Sequence, residues 1–380
     1  MNIKPADRLA QFSEYYFSAK LRAIRQLMGE GRPIINLGIG SPDQMPHAEV
    51  IGALSGAAQS DDAHGYQPYQ GLPALGEAIR GFYAREYHVN TGDKAVLPLL
   101  GSKEGIMHTS LAYLNPGDQV LIPALGYPTY TSVTRIVGAE PVYFPLLESS
   151  GWAPDWEFLE QLDCSKVKIL WINYPHMPTG TRADRDLLAR YVDFARSRNI
   201  LLCHDNPYSF ILNDTPLSIF NIKGAEKVAI ELNSLSKSFN MAGWRVGWAL
   251  GSEQLIQPVL QIKSNMDSGM FKPVQLAAIE ALNLDHSWFE GLNDQYRQRQ
   301  LLGFKIMDLL QCEYADNQSG MFVWAKAPNG DGEAFVEELL ERYNVFMAPG
   351  FIFGEAGKSY IRLSLCASVE VLEEVYKRMS

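Results

Sequence analysis

Several absences narrow the class of protein before any motif is considered. The 380 residues include four cysteines but no Cys-x-x-Cys pair, and the seven histidines show no metal-ligand spacing, so neither a disulfide framework nor a metal site is indicated. No run of about 18 apolar residues occurs, and the first residues lack the apolar core of a signal peptide. Blocks of lysine or arginine are also missing, and the formal net charge is -10, which argues against nucleic acid or an anionic membrane as the main partner. We therefore expect a cytoplasmic protein with reduced thiols that acts on small molecules.

The pattern of apolar residues indicates an α/β protein. Hydrophobic residues make up 47% of the chain, which is ample for a large core and favours two domains over one. Between about residues 94 and 250, short apolar runs alternate with helix-like stretches, as in βαβ units around a parallel sheet. The runs at 167–172, 200–203 and 228–230 are nearly continuous in apolar residues, which is typical of strands buried on both faces.

The pattern changes after about residue 283. A long helix at about 288–310 is followed by an apolar strand at 320–325, a helix near 333–343, and a final strand and helix. We predict a large domain of residues 41–282, with a mostly parallel central sheet flanked by helices. A smaller α/β domain is expected to combine residues 1–40 with 283–380.

Polar residues follow three of the predicted buried strands. Asn173, Asp205 and Ser234 each stand where an apolar run ends. In open α/β sheets, ligands bind in the crevice at the carboxyl ends of the strands. We therefore expect these side chains to converge although they are far apart in the sequence.

The segment 234–248 carries the most specific chemistry. It reads Ser-Leu-Ser-Lys-Ser-Phe-Asn-Met-Ala-Gly-Trp-Arg-Val-Gly-Trp and contains Lys237 between serines, with Arg245 eight positions later. A lysine can condense with an aldehyde to form a Schiff base, and serines and an arginine supply donors for a phosphate. An aldehyde together with a phosphate indicates pyridoxal phosphate. A Ser-x-Ser-Lys tetrapeptide alone is common, and the alternative is an ordinary surface lysine.

This segment resembles the cofactor-lysine region of the class I and II aminotransferases, the fold-type I pyridoxal-phosphate enzymes. Further similar segments follow in the family's order from about residue 34 to 366. The resemblance implies that Lys237 both anchors the cofactor as a Schiff base and moves the proton during transamination. In Asp205-Asn-Pro-Tyr208 it implies that Asp205 keeps the pyridine nitrogen protonated and that Tyr208 donates to the ring hydroxyl oxygen. The alternative for the latter motif is an Asx-Pro turn.

A turn at residues 100–106 is the candidate phosphate site. It follows an apolar strand and opens a helix, whose free N–H groups and positive dipole end favour an anion, although glycine turns also serve as plain connectors. The resemblance implies that Ser102, Lys103 and Glu104 bind phosphate mainly through backbone amides. Ser102 and Ser234 would add hydroxyl groups, and Arg245 would add the compensating charge.

Two tyrosines complete the cofactor site implied by the resemblance. Tyr127, in Gly-Tyr-Pro-Thr-Tyr, would stack on the cofactor ring, although a core or turn tyrosine is the alternative. Tyr66, in His-Gly-Tyr-Gln-Pro-Tyr-Gln-Gly, would reach the phosphate of a neighbouring subunit. If so, the protein is a homodimer with shared active sites.

One position departs from the family. Family members usually read Asn-Pro-Thr-Gly where this chain has Met177-Pro-Thr-Gly, and the family asparagine touches the ring hydroxyl oxygen. Methionine cannot donate that hydrogen bond. Asn173, His176 or a water molecule could compensate, and the sequence does not decide among them.

The segment 360–365 supplies the candidate substrate residue. The resemblance implies that Arg362 binds the substrate carboxylate, which a planar guanidinium does through two parallel hydrogen bonds, and that Gly40 is a backbone neighbour of the substrate. A buried ion pair is the alternative for this arginine. No second arginine is clearly positioned for an acidic side chain, which favours a neutral, apolar amino-acid donor and a 2-oxo acid acceptor such as 2-oxoglutarate. Tyr15, Tyr16 and Phe17 could help line the pocket, although packing against the large domain is the favoured alternative for them.

Parts of the sequence also bear on other functions. Residues 101–106 and 265–271 also resemble diaminopimelate aminotransferases, which leaves that donor open. A carbon–sulfur β-lyase of the same fold would release ammonia and pyruvate instead. A non-catalytic regulator is disfavoured because such proteins usually carry an added DNA-binding segment, and none precedes Met1. Nucleotide sites are not indicated, because residues 38–43 and 354–359 each lack one glycine of the corresponding loop.

Overall fold

The computed structural model describes residues 3–6, 8–9, 16–92 and 94–380, without the side chain of Ser18. Its α-helices are α1 (Tyr16–Gly29), α2 (Ala48–Ala57), α3 (Pro73–Glu86), α4 (Ser102–Tyr113), α5 (Thr129–Ile136), α6 (Trp156–Gln161), α7 (Arg185–Arg198), α8 (Glu253–Lys263), α9 (Lys272–Leu282), α10 (Ser287–Leu309), α11 (Gly332–Tyr343) and α12 (Val369–Met379). Its strands are β1 (Ile35–Asn36), β2 (Ala95–Leu99), β3 (Gln119–Pro123), β4 (Glu140–Phe144), β5 (Leu146–Leu147), β6 (Ala153–Pro154), β7 (Val167–Asn173), β8 (Leu201–Asp205), β9 (Ala229–Ser234), β10 (Gly247–Gly251), β11 (Glu313–Tyr314), β12 (Phe322–Lys326), β13 (Val345–Phe346), β14 (Ala348–Pro349) and β15 (Tyr360–Ser364).

The central sheet has seven strands in the order β2-β10-β9-β8-β7-β3-β4. β10 is antiparallel to both of its neighbours, β2 and β9, and the remaining pairs are parallel. The residues of β8 and β9 are all buried, as the continuous apolar runs predicted. The predicted mostly parallel sheet is therefore confirmed, with one strand that runs against the others.

Helix α7 shows how sequence and packing agree beside this sheet. The side chain of Asp184 accepts a hydrogen bond from the Leu187 N–H at 2.7 Å and caps the helix, and Asn199 ends it in the left-handed conformation. Leu188 and Tyr191 belong to its buried face. The amphipathic face is thus turned towards the core, because apolar residues recur at helical spacing.

A second, antiparallel sheet lies in the carboxyl-terminal part of the chain. Its strand order is β11-β12-β15-β14, and Trp324 of β12 pairs with Arg362 of β15. Helices α10 and α11 pack against this sheet, and α12 packs against α10. Strand β1 pairs in parallel with β13, which joins the amino-terminal part of the chain to this region. The predicted helices near 288–310 and 333–343 are confirmed as α10 and α11.

The helices of the described residues include none that is both long and apolar enough to span a membrane.

Candidate active site

The chemically active residues meet at one edge of the central sheet. Parallel strands β7, β8 and β9 end there with Asn173, Asp205 and Ser234, so the expected convergence is confirmed. Because β10 runs in the opposite direction, its first residue, Gly247, lies at the same edge, and Arg245 stands two positions before it. The sheet topology thus brings four separate segments to one crevice.

A cavity of about 550 Å³ occupies this crevice. Among the residues predicted for the site, its lining includes Gly40, Ser102, Lys103, Tyr127, Asn173, Asp205, Tyr208, Ser234, Lys237, Arg245 and Arg362. Its lining further includes Phe17, Tyr130, Met177, Pro207, Ser236, Ala242, Phe322 and Phe353. Glu104 and Tyr66 do not line it.

The amine of Lys237 is held by the backbone. Its Nζ donates a hydrogen bond to the carbonyl oxygen of Gly40 at 2.6 Å and lies 6.0 Å from the ring centre of Tyr208. Burial lowers the pKa of Lys237, with a smaller lowering from the positive charges of Arg362 and Arg245. A buried amine with a lowered pKa loses its proton more readily, which is what attack on an aldehyde requires.

Asp205 is a buried carboxylate with one oxygen held and one free for a ligand. Its Oδ2 accepts a hydrogen bond from the Tyr130 hydroxyl at 2.8 Å. Its Oδ1 is buried and has no hydrogen-bond partner within the part of the chain that the structure describes. Burial raises the pKa of Asp205 to about 6, while Tyr130, His204 and the Ser102 hydroxyl act to lower it. Since a buried carboxylate oxygen without a donor is costly, this atom suits a ligand N–H.

Arg245 and the start of α4 lie together in the lining of the cavity. Arg245 donates to the carbonyl oxygens of Ala242 and Leu100, each at 2.9 Å. Gly101 has a φ of +86°, which favours glycine, and a Cβ there would lie 2.1 Å from Arg245 Nη2, so a side chain at this position would displace the guanidinium. In the first turn of the helix that follows, the Glu104 N–H donates to the Gly101 carbonyl oxygen at 3.2 Å, so the N–H groups of Ser102 and Lys103 are the better candidates to bind an anion.

The Asn173 side chain braces two backbone segments of the cavity. Its Nδ2 donates to the carbonyl oxygen of Asp205 at 2.7 Å, and its Oδ1 accepts from the Met177 N–H at 2.9 Å. His176, the second candidate to replace the family asparagine, does not line the cavity and uses both ring nitrogens elsewhere, on Thr179 and Leu125. Burial lowers the pKa of His176 to about 4, so it is neutral at physiological pH.

Arg362 is enclosed by apolar groups. Its guanidinium carbon lies 3.8 Å from the ring centre of Phe322 and 4.5 Å from that of Phe353. Nη1 lies 3.3 Å from Met177 Sδ, and Nη2 donates to the Gly38 carbonyl oxygen at 2.8 Å. A guanidinium stacked between two rings keeps a fixed plane, which favours bidentate binding of a carboxylate.

Two predicted cofactor residues lie outside the lining of this cavity. The Glu104 carboxylate turns back to accept a hydrogen bond from the Leu100 N–H and meets His108 Nε2 at 3.1 Å. Tyr66 is 93% exposed, so its side chain is available to another molecule. The placement of Tyr66 is compatible with the expected contact with a second subunit, whereas the Glu104 N–H, expected to contact the phosphate, donates to the Gly101 carbonyl oxygen at 3.2 Å.

The sequence did not single out several of the lining residues. Tyr130 ends the same motif as Tyr127, and Phe322 lies in the predicted strand at 320–325, but no sequence pattern indicated which side chains would face the cavity. Of the amino-terminal aromatic residues, Phe17 lines the cavity, whereas Tyr16 packs against Phe351 with ring centres 5.1 Å apart. Tyr15 lies outside the described residues.

The site fits pyridoxal 5'-phosphate, the group implied by the sequence. The amine of Lys237 suits the aldehyde, and Arg245 with the first turn of α4 suits the phosphate. The buried Oδ1 of Asp205 suits the protonated ring nitrogen. Three chemically different parts of the cofactor therefore have matching groups around one cavity.

Known proteins resemble this chain along nearly its whole length. A family model described as aminotransferase class I and II matches residues 32–379. The LL-diaminopimelate aminotransferase of Halothermothrix orenii is 36% identical over 378 residues, which cover 98% of this chain and 97% of that protein.

Solved structures give the same result. Substrate-bound BacF from Bacillus subtilis superimposes with a TM-score of 0.93 at 36% identity, covering 100% of this chain and 97% of that one. A probable N-succinyldiaminopimelate aminotransferase from Thermus thermophilus gives 0.88 at 32% identity, with 96% and 98% covered. The chain therefore belongs to the class I and II aminotransferase family and is a pyridoxal-phosphate-dependent aminotransferase of fold type I.

Proposed function

We propose that this enzyme transfers the amino group of a neutral, apolar α-amino acid to a 2-oxo acid such as 2-oxoglutarate. Lys237, Asp205 and Tyr208 are the proposed catalytic residues. The observation that carries the choice of donor is the apolar enclosure of Arg362 by Phe322 and Phe353. When bound, the cofactor supplies a ring that accepts electrons and stabilises negative charge at the substrate Cα.

Lys237 is the proposed anchor and proton carrier. Burial lowers the pKa of its amine, so the neutral form that accepts a proton from the substrate Cα is more accessible than in water. Asp205 would keep the pyridine nitrogen protonated when the cofactor is bound, because its pKa of about 6 leaves it mostly ionised at neutral pH. Tyr208 has its pKa raised by burial, so its hydroxyl remains a donor for the ring oxygen.

The other proposed cofactor contacts follow the lining of the cavity. Ser102 and Lys103 would present backbone N–H groups to the phosphate, Ser234 a hydroxyl, and Arg245 a positive charge. The Glu104 N–H would first have to give up its hydrogen bond of 3.2 Å to the Gly101 carbonyl oxygen. Tyr127 would stack on the ring, and Asn173 would lie beside it. These roles are supported by position, since all but Glu104 line the same cavity.

The donor is proposed from the charges and surfaces of the lining. Arg362 would bind the substrate carboxylate, next to the Gly40 backbone. Phe17, Phe322 and Phe353 contribute aromatic surface, and the acidic lining residue in the described part of the chain is Asp205, which is assigned to the cofactor. A donor with a charged distal group would thus bring that group among aromatic rings, at a desolvation cost of several kcal/mol per ion.

A homodimer with shared sites is the proposed assembly. Tyr66 is 93% exposed, and Met266, Phe271 and Leu100 also expose large apolar surfaces. Exposed apolar side chains of this size often mark an interaction surface. In this proposal, Tyr66 reaches the phosphate of the partner subunit.

The two-domain division and the cellular location are further parts of the proposal. Residues 41–282 would form the large domain, and residues 1–40 would join 283–380, which the pairing of β1 with β13 supports. The four cysteines are free thiols, as suits a reducing cytoplasm. Subcellular fractionation would test the location.

LL-diaminopimelate is a second candidate donor. Proteins named LL-diaminopimelate aminotransferase are 36–37% identical to this chain over at least 97% of both sequences. Such a donor would require a partner for its distal ammonium and carboxylate groups. That partner would have to come from the second subunit or from residues beyond the lining.

A donor panel tests the proposal directly. Cofactor-loaded protein is mixed with aliphatic, aromatic and acidic amino acids and with LL-diaminopimelate, and the oxo acid formed is identified. We expect turnover with apolar donors; turnover with LL-diaminopimelate alone would replace the first candidate by the second. Release of pyruvate and ammonia from a sulfur-containing donor would indicate a β-lyase instead.

The assignment of Lys237 is tested separately. Borohydride treatment of loaded protein should add the reduced cofactor's mass to the peptide that contains Lys237, and Lys237→Ala should abolish both this adduct and turnover. An adduct on another lysine would contradict the assignment.

A further inference from the structure

Lys263, the last residue of α8, is a buried lysine that does not line the active-site cavity. It is 2% exposed. Its ammonium group forms a salt bridge with Asp267, one turn further along the chain, and lies 4.0 Å from the Glu104 carboxylate. Burying an ammonium group costs several kcal/mol unless carboxylates pair with it. The two carboxylates therefore hold Lys263 in place, and Lys263 holds them.

Glu104 connects this group to the proposed phosphate turn. Its carboxylate accepts a hydrogen bond from the Leu100 N–H, while the Leu100 carbonyl oxygen accepts from Arg245 Nη2 at 2.9 Å. Both backbone polar groups of Leu100 are thus fixed by charged side chains. Because Leu100 immediately precedes Gly101 and Ser102, its orientation sets the direction of the N–H groups that follow.

Asp267 connects the same lysine to the segment that carries Tyr66. Asp267 Oδ1 accepts a hydrogen bond from the Gly269 N–H at 3.1 Å. Gly269 has a φ of +87°, and a Cβ there would lie 2.5 Å from the Gln67 carbonyl oxygen, so the two backbones are in direct contact.

Gln275 makes a second connection between these backbones. Its Oε1 accepts from the Leu72 N–H at 2.7 Å, and its Nε2 donates to the Met270 carbonyl oxygen at 2.6 Å. The turn at 267–271 therefore supports residues 67–72, directly beside Tyr66. We call residues 64–72 the arm.

We propose that Lys263 is a positioning residue that fixes two structures at once, the phosphate turn of its own active site and the arm that enters the partner's site. The proposal rests on the proposed function, which assigns both structures to the cofactor phosphate. The ammonium group attracts the Glu104 carboxylate on one side and the Asp267 carboxylate on the other, so a substitution at Lys263 should alter both active sites of a dimer.

The test compares two ligands that differ only in the phosphate group. Dissociation constants of pyridoxal 5'-phosphate and of pyridoxal are measured for the full chain, for Lys263→Met, and for the exposed control Lys223→Met. We expect Lys263→Met to reduce the preference for the phosphorylated ligand about tenfold, because the substitution removes the charge that holds the Glu104 carboxylate beside Leu100. Pyridoxal should bind as before, and Lys263→Arg, which keeps the charge, should restore most of the preference.

Amide hydrogen exchange gives an independent measure of positioning. Peptides covering residues 64–72 and 99–104 should exchange faster in Lys263→Met than in the parent protein or in Lys223→Met. Exchange in the arm at the parent rate would show that Lys263 does not position it.

The affinity measurements can also contradict the proposed role of Lys263. Equal loss of affinity for both ligands, or an unchanged preference for the phosphate, would overturn the proposal and leave Lys263 as a stabilising residue only. If Lys263→Met does not fold, the same ratio of dissociation constants is measured for Glu104→Gln, which keeps an acceptor for the Leu100 N–H but removes the charge. Failure of the parent protein to prefer the phosphorylated ligand would instead refute the proposed function.

Discussion

Asp205 should reduce the stability of the protein when no cofactor is bound, and its replacement by asparagine should reveal this. Asparagine has nearly the same size and can still accept the hydrogen bond from Tyr130. It carries no charge, so it avoids the desolvation that raises the pKa of Asp205. We therefore expect Asp205→Asn to be more stable than the parent protein in cofactor-free form.

The size of the effect follows from the pKa. The folded value of about 6 lies about 2 units above the 3.8 of an ordinary aspartate, and each unit corresponds to about 1.4 kcal/mol, so ionised Asp205 costs about 3 kcal/mol of folding free energy. Because the pKa is raised in the folded state, the stabilising contribution of protonated Asp205 to the free energy of unfolding is fully present below about pH 4. It is lost as the pH rises through 6. The variant should therefore match the parent near pH 4 and exceed it by about 3 kcal/mol at pH 8.

Urea unfolding at the two pH values measures this difference. Tryptophan fluorescence is followed for cofactor-free parent, Asp205→Asn, and the exposed control Asp316→Asn. A stability difference between parent and Asp205→Asn that is the same at pH 4 and pH 8 would refute the reasoning. The same variant should bind pyridoxal phosphate more weakly at pH 8, because asparagine offers no negative charge to the protonated ring nitrogen. A residue that lowers stability but raises ligand affinity is retained for binding.

Three further substitutions probe the remaining contacts of the site. Tyr130→Phe removes a hydrogen bond to an ionised carboxylate worth about 1.5–3 kcal/mol, so the pKa of Asp205 should rise by about 1 to 2 units and the pH dependence of cofactor affinity should move upwards by the same amount. Met177→Asn introduces a donor next to Arg362, and the absorbance of the bound cofactor should titrate at lower pH if that amide reaches the ring oxygen; an unchanged titration would place the amide elsewhere. Arg362→Lys should impair the use of α-amino carboxylates by about tenfold or more in kcat/KM while cofactor is retained, since a lysine cannot form the two parallel hydrogen bonds. Unchanged kinetics would remove Arg362 from the proposed site.

Much of the fold and the membership of the cavity could be predicted because the chemistry sits at strand ends. Asn173, Asp205 and Ser234 are each the last residue of a parallel strand, so periodicity alone located them at one edge. Arg245 was placed by resemblance, and the structure supplies the physical reason, which is the reversed direction of β10. A single antiparallel strand leaves no clear mark in a run of buried apolar residues.

The contacts between side chains could not be predicted in this way. Tyr130 reaches Asp205 from 75 positions away, and Glu104 turns from the cavity towards Leu100. Such contacts depend on how α4 and α5 pack on the sheet and on rotamers, which a hydrophobic pattern does not encode. The sequence therefore indicated which segments form the site but not which of their polar atoms hydrogen-bond to other groups of the protein.

Lys237 and Arg362, the two basic residues assigned to ligands, both hydrogen-bond to backbone groups of the protein. Lys237 donates to the carbonyl oxygen of Gly40, and Arg362 donates to that of Gly38, so one short segment between β1 and α2 engages both. To bind, a cofactor aldehyde or a substrate carboxylate must interact with Lys237 or Arg362 more favourably than these carbonyl oxygens do. A measured affinity will consequently report the difference in free energy between the ligand contact and the carbonyl contact, rather than the strength of either contact alone. Because the same segment also carries Asp43, which pairs with the buried Arg299 through two hydrogen bonds of 2.7 and 2.9 Å, its position is fixed independently of either ligand. The carbonyl groups therefore keep both cations desolvated and close to their working positions, which reduces the reorganisation needed on binding.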